Sequence, residues 1–238
     1  KMTAPTLNEC IITVSGRPKI GKSTFASGFP NAVFAATEAG LNFLDVMEVQ
    51  IQEWPRFKAL IDELTRSPGT FETLVIDTLD NLYLMCEEHV CQVNGIAHPS
   101  DLGYGKGFTM VKNQFRLALT KASMLKTGGG KRMGLVMVSH AKEIEVETRT
   151  GKSVCWSLSL PNSARLTVEA MSDLLLFADI EGDKRVLRTK PHRNWVAGDR
   201  SGKLPPTIEL SYEVLKGHLE GEDDGDRLQQ GGQPVATN

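Results

Sequence analysis

The sequence predicts an α/β fold, a mainly parallel central sheet flanked by helices with a C-terminal antiparallel hairpin. Three observations carry this. Short β-rich apolar runs alternate with segments of helical period through most of the chain, the pattern of strands crossed over by helices. The first run leads at once into a glycine-rich turn and a helix-forming stretch, "SGRPKIGKSTF". Near the C-terminal end, "DLLLFADI" and "KRVLRTK" are two strand-like runs joined at "EGD", a hairpin signal.

Taken in order, "CIITVS" (10–15) is a buried strand ending at a glycine, and "KSTFASGF" a helix closed by Gly28 and Pro30. "AVFAAT" (32–37) and the alternating "VMEVQI" (46–51) are the next strands. Over 55–66, Pro55 stands near a helix start, where its missing N–H costs nothing, and Phe57, Leu60, Ile61 and Leu64 share one face. "TLVID" (73–77) is a buried strand, and a helix is expected from about 79 to 93. The glycine-rich stretch 94–107 is a long loop of the kind that is functional or disordered. Val111, Phe115, Ala118, Ala122 and Leu125 then mark a helix face, and "MGLVMVSH" (133–140) another strand. Residues 141–161 have no long apolar face and read as a loop or an exposed hairpin; "NSARLTVEAM" is a short helix. After Lys216 the composition turns to Gly, Asp, Glu and Gln. The expectation is one domain over 1–216 and a disordered polar tail over 217–238.

Bulk properties narrow the function. With 27 basic against 29 acidic residues the net charge is −2, so nucleic-acid binding would need a local patch or several copies in line. Four cysteines in 238 residues are no disulfide framework, and Cys86, His89, Cys91 and His98 fit no common zinc spacing. There is no apolar run long enough to span a bilayer and no secretory leader pattern, so no membrane partner and a cytoplasmic setting are expected.

Residues 16–23 match G-x-x-x-x-G-K-[ST] in full, between a strand and a helix. In such a P-loop the glycines let the backbone curl until its N–H groups point at phosphate oxygens. Gly16, Arg17, Pro18, Lys19, Ile20, Gly21, Lys22, Ser23 and Thr24 are therefore the candidate nucleotide-binding residues. Lys22 supplies the cation for the β- and γ-phosphates, and the Ser23 hydroxyl is a Mg²⁺ ligand. Asp77 ends the strand "TLVID", where a carboxylate holds Mg²⁺ or merely starts a turn; a P-loop upstream favours the metal. ATP and Mg²⁺ are the implied cofactors. Glu38, after the second strand, is either a general base for the attacking water or a solvated cap. His140 ends a strand, where it either senses the γ-phosphate or is an ordinary satisfied histidine. Lys190, His192, Arg193 and Arg200 form a basic cluster that either stabilises transferring phosphate, in cis or from a neighbour, or is a solvated loop.

The P-loop, "TEAG", "LVIDTLDNL" and "VMVSHAKE" stand in the order found in the RecA-like core of recombinases. With "LRTKPHRNWVAGDRSGKLP" the chain resembles, over about 10–212, the phage-encoded RecA-like single-strand annealing ATPases. The resemblance implies a RecA-like P-loop NTPase core with Glu38 as catalytic base, Asp77 as the Mg²⁺-associated carboxylate, and His140 where recombinases carry a sensor glutamine. It sets Lys190 near the lysines that recombinases insert into a neighbour's ATP site. It implies DNA-stimulated ATP hydrolysis, self-association in a filament or ring, recombination through single-stranded DNA, and a single-strand-binding protein as a further partner, in the host cytoplasm. The loops 94–107 and 142–160 fall where DNA is held, which makes Tyr104, Lys106, Lys142, Arg149, Lys152 and Trp156 the candidate contacts. Loop 142–160 also carries Glu143, Glu145 and Glu147, so it is no plain phosphate-binding patch. A ring-forming motor or helicase-loader ATPase acting through partner proteins uses the same core, and a small-molecule kinase would need a basic lid that the sequence lacks.

Overall fold

A computed structural model describes residues 6–148 and 151–221. Its strands are β1 (Ile11–Gly16), β2 (Ala32–Ala36), β3 (Met47–Gln50), β4 (Thr73–Asp77), β5 (Gly134–Thr148), β6 (Gly151–Leu158), β7 (Leu174–Glu181), β8 (Lys184–Arg188), β9 (Gly198–Asp199) and β10 (Thr207–Glu209). The helices are α1 (Lys22–Ser27), α2 (Trp54–Arg66), α3 (Leu79–Asn94), α4 (Lys106–Ser123), α5 (Asn162–Met171) and α6 (Tyr212–Glu220).

The sheet runs in the order β10-β8-β7-β1-β5-β4-β2-β3. From β7 through to β3 neighbouring strands are parallel, while β8 and β10 close one edge antiparallel. This is the α/β architecture expected, including the hairpin of β7 and β8. Parallel strands covered by helices on both faces need apolar side chains in both directions, which is why these segments read as runs rather than as alternation. Ile11, Val33, Leu74, Ile76, Leu135 and Met137 pack on the side of α2, α3, α4 and α5. Ile12, Val14, Phe34, Val75, Val136 and Val138 pack with α1 and α6.

This strand order brings the chemistry-bearing residues together. β5 lies between β1 and β4, with Gly16 opposite His140 and Asp77 opposite Val138. Ala36 is opposite Asp77. The C-terminal ends of β1, β5, β4 and β2 thus form one row, and the segments after those strands emerge on the same edge, where open α/β sheets bind ligands.

Several elements settle or change the sequence expectation. Of the loop and the exposed hairpin expected after His140, the hairpin is the one formed by 141–148 and 151–158: β5 continues past His140 and pairs with β6 from Ala141 opposite Leu158. Stretch 94–107 is partly ordered. Pro99–Asp101 make a 3-10 turn, the Asp101 carboxylate accepts from the N–H groups of Ala97 and His98 (3.0 and 2.9 Å), and α4 already starts at Lys106. The boundary at 216 falls inside α6, which runs to Glu220 because Tyr212, Leu215 and Leu219, at three- and four-residue spacing, are buried. The remainder of the expected tail, 222–238, lies outside the described residues. Among the described residues no helix is long and apolar enough to cross a membrane.

Candidate active site

The loop between β1 and α1 curls as the motif requires. Lys19 and Gly21 have positive φ (62° and 107°). A Cβ on Gly16 would stand 2.8 Å from the carbonyl oxygen of Ala178, so only glycine lets β1 lie this close to β7 at the loop's start. α1 has six residues, too few for its dipole to carry the site; the cradle is the loop backbone itself. Lys22 is buried, and its Nζ donates to the carbonyls of Gly16 (3.0 Å) and Arg17 (2.9 Å), bridging the base and the crown of the loop. Burial lowers its pKa, against the opposing pull of Asp77, Asp80 and Glu38.

A cavity of about 300 Å³ opens here. Its lining includes Lys19, Gly21, Lys22, Ser23 and Thr24 of the loop and α1, and Glu38, Asp77, Thr78, His140 and Arg185 from other strand ends. Asp77 is buried, which raises its pKa, while the neighbouring Ser23 hydroxyl, Lys22 and His140 pull it down. Two hard oxygens at one spot suit Mg²⁺, an ion that takes one or two protein ligands and fills the rest of its shell with phosphate and water. The Thr78 hydroxyl is a second sign. It is buried on the cavity wall with no hydrogen-bond partner among the described residues, and a phosphate oxygen or metal-bound water would satisfy it. Ser23 and Asp77 thus fit the metal role expected of them.

The sequence misses the residues that hold this wall together. Thr37 stands between β2 and Glu38; its hydroxyl donates to the Thr78 carbonyl (2.9 Å) and accepts from the Thr78 N–H (2.7 Å), and its own N–H donates to the Asp77 carbonyl (2.8 Å). Glu38 is thereby fixed relative to Asp77. Two residues of the first turn of α3 reach the two remaining groups. Asn81 Nδ2 donates to Glu38 Oε2 (3.1 Å). Asp80 accepts from the His140 N–H at Oδ1 (3.0 Å) and meets His140 Nδ1 at Oδ2 (2.7 Å). A carboxylate only accepts, so Nδ1 carries the proton and Nε2 is the nitrogen left for a ligand. Arg185 on β8 is the cation at the mouth, packed against Gly21.

The other candidates lie elsewhere. Lys190 Nζ pairs with the buried Asp199 (3.0 Å). Burial alone would raise the Asp199 carboxyl, but bonds from Ser201, Leu204 and Lys190 hold it below the usual range. Arg200 lies 3.6 Å from Asp173 and donates to the Ala170 carbonyl. Neither lines the cavity; both brace the segment after β8, and Arg193 is exposed on that segment. His192 is stacked on Trp195. Of the candidate DNA contacts, Tyr104, Lys106 and Lys142 are exposed, Lys152 pairs with Glu145 (2.9 Å), and the Arg17 guanidinium lies over Trp156 (5.0 Å to the ring centroid). Arg149 lies outside the described residues.

No curated protein matches the chain. One family model does: the AAA domain matches residues 8–201, from just before β1 to just after β9. The match takes in the loop, the row of strand ends and every residue of the cavity wall. Such a domain implies nucleotide binding, and the chain belongs to the AAA domain family of P-loop ATPases.

Proposed function

We propose that the chain is an ATPase that grips single-stranded DNA in its ATP-bound state and lets go on hydrolysis, working in recombination as an oligomer. The observation that carries this is the course of β5. His140 is its last residue paired inside the sheet, opposite Gly16 of the P-loop, and Ala141 is the first paired in the exposed hairpin. One peptide bond therefore separates the γ-phosphate side of the cavity from a projecting element, and a shift of His140 is a shift of the hairpin root.

In this reading Lys22 and the loop N–H groups bind the phosphates. Ser23 and Asp77 hold Mg²⁺, which when bound offsets the charge of the β- and γ-phosphates. Glu38 accepts a proton from the water that attacks the γ-phosphorus, and His140 Nε2 contacts the γ-phosphate until it departs. Arg185 stands at the cavity mouth to offset charge on the leaving side. Several copies along one strand multiply weak contacts by effective concentration, which reconciles a net charge of −2 with DNA binding.

Fluorescence anisotropy with a labelled single strand, with and without ATP or a non-hydrolysable analogue, tests the reading. Affinity is expected to rise with either nucleotide and to fall steeply with salt. Equal affinity in all three conditions would sink it. A second expectation concerns Asp80. Asp80→Asn keeps the shape but removes the charge that fixes His140, so kcat should fall about tenfold, the worth of one charge-assisted hydrogen bond, with KM for ATP little changed. An equal loss in KM would mean that Asp80 serves nucleotide binding instead.

A further inference from the structure

Beside the P-loop crown, sharing Lys19 with the first cavity, lies a second of about 430 Å³, walled by Arg17, Lys19, Trp156, Phe177, Asn194 and Trp195. The two indoles come from distant parts of the chain, β6 and the segment after β8. They are brought together by backbone bonds: Trp156 N–H to the Asn194 carbonyl and Val196 N–H to the Trp156 carbonyl, both 2.8 Å. Trp195 is rigid. Its Nε1–H donates to the Lys190 carbonyl (3.2 Å), His192 stacks on it at 4.3 Å, and Phe177 lies parallel to it at 6.1 Å. Each indole lies under a guanidinium, Trp195 under Arg188 (5.1 Å) and Trp156 under Arg17 (5.0 Å). Arg188 is held by Asp179 and Glu181, whereas the Arg17 guanidinium makes no ion pair or hydrogen bond among the described residues. The carboxylate of the cavity, Asp179, is already paired with Arg188 (3.0 Å).

We propose that this cavity is a base-stacking site for single-stranded DNA, in which a base takes the place of Arg17 over Trp156 and the displaced guanidinium pairs with the adjoining phosphate. The inference rests on the DNA-binding reading and gives that reading a location. The ligand is dictated by the wall chemistry: aromatic faces call for a planar ring, and Arg17 and Lys19, neither ion-paired among the described residues, call for negative charge beside it. A nucleotide unit of a strand has both. The exchange is favourable, since a stacked base is worth about 5- to 150-fold in affinity and an exposed cation over a ring only about 2- to 5-fold. The exchange also reaches the ATP site. The Arg17 carbonyl accepts from Lys22 Nζ, so moving Arg17 moves a partner of the phosphate-binding ammonium. Strand binding and nucleotide binding must then alter each other by the same factor.

The test is a titration of the full chain with oligo(dT) in the presence of a non-hydrolysable ATP analogue, read by tryptophan fluorescence. Of the three tryptophans Trp54 is buried, so quenching reports on Trp156 and Trp195. Trp156→Ala is expected to weaken oligo(dT) binding about tenfold, and Trp156→Phe, which keeps a stacking face, to stay within about threefold of the unaltered chain. Arg17→Ala uncovers Trp156 but loses the phosphate partner, so oligo(dT) binding is expected to weaken and to depend less steeply on salt, while the effect of oligo(dT) on nucleotide affinity disappears. No binding by the unaltered chain overturns both this site and the DNA-binding reading. Strand binding by Trp156→Ala as tight as that of the unaltered chain overturns this site alone, and so does thymidine monophosphate binding as tightly as the oligomer.

Discussion

Lys22→Ala is expected to abolish nucleotide binding at working concentrations, an affinity loss of about a hundredfold or more. The side chain is buried at the end of the P-loop and lines the cavity. Its removal costs two or more charge-assisted hydrogen bonds to phosphate, at about 1.5–3 kcal/mol each. A second loss adds to the first. Nζ ties the Gly16 and Arg17 carbonyls together, and without it two carbonyls that point inward would repel the phosphate that the loop N–H groups are meant to receive. Titration with a fluorescent ATP analogue measures the affinity, and thermal melting establishes that the variant is folded. Retention of affinity within a factor of about three would show that the loop backbone alone binds phosphate and that Lys22 has another task.

How much of this is legible in the sequence depends on the range of the cause. Strands β1, β2, β4 and β5 are written locally, because burial on both faces demands an unbroken apolar run. The P-loop is local too, since its spacing is fixed by one turn of backbone. Asp80 and Asn81 are invisible by contrast. In sequence they are a polar pair in the first turn of a helix, where acidic residues are ordinary. Their roles arise only because β5 and β2 flank β4, which brings His140 to one and Glu38 to the other. Arg185 is hidden for the same reason: nothing in "KRVLR" says which strand end it will face, and the β7–β8 register, with Ile180 opposite Arg185, decides it. Conversely, Lys190 and Arg200 look like a functional cluster because the count of charges is local. In the structure each is paired with a carboxylate, Lys190 with Asp199 and the exposed Arg200 with Asp173, and Asp173 is distant in sequence from Arg200. Helix α6 is masked because glycine and acidic residues dominate the composition after 216, while its apolar face begins upstream at Tyr212.

Glu38→Gln is expected to leave ATP binding intact and slow hydrolysis at least tenfold. A positioned general base contributes about 10²–10⁴ in rate, so the larger part of turnover is at stake. The substitution isolates basicity from shape. Glutamine has the same reach, and its carbonyl oxygen still accepts from Asn81 Nδ2, so the side chain stays where Thr37 and Asn81 put it. What it loses is the capacity to take a proton. Binding of a fluorescent ATP analogue and single-turnover phosphate release, measured on the same preparation, separate the two. Unchanged release would remove Glu38 from the catalytic role and return it to a solvated cap. Slow release together with strand affinity locked high by ATP would tie the two halves of the proposal together. On the proposed reading, a chain that still holds the γ-phosphate would keep His140 in place, and the hairpin rooted at that residue would keep its hold on the strand.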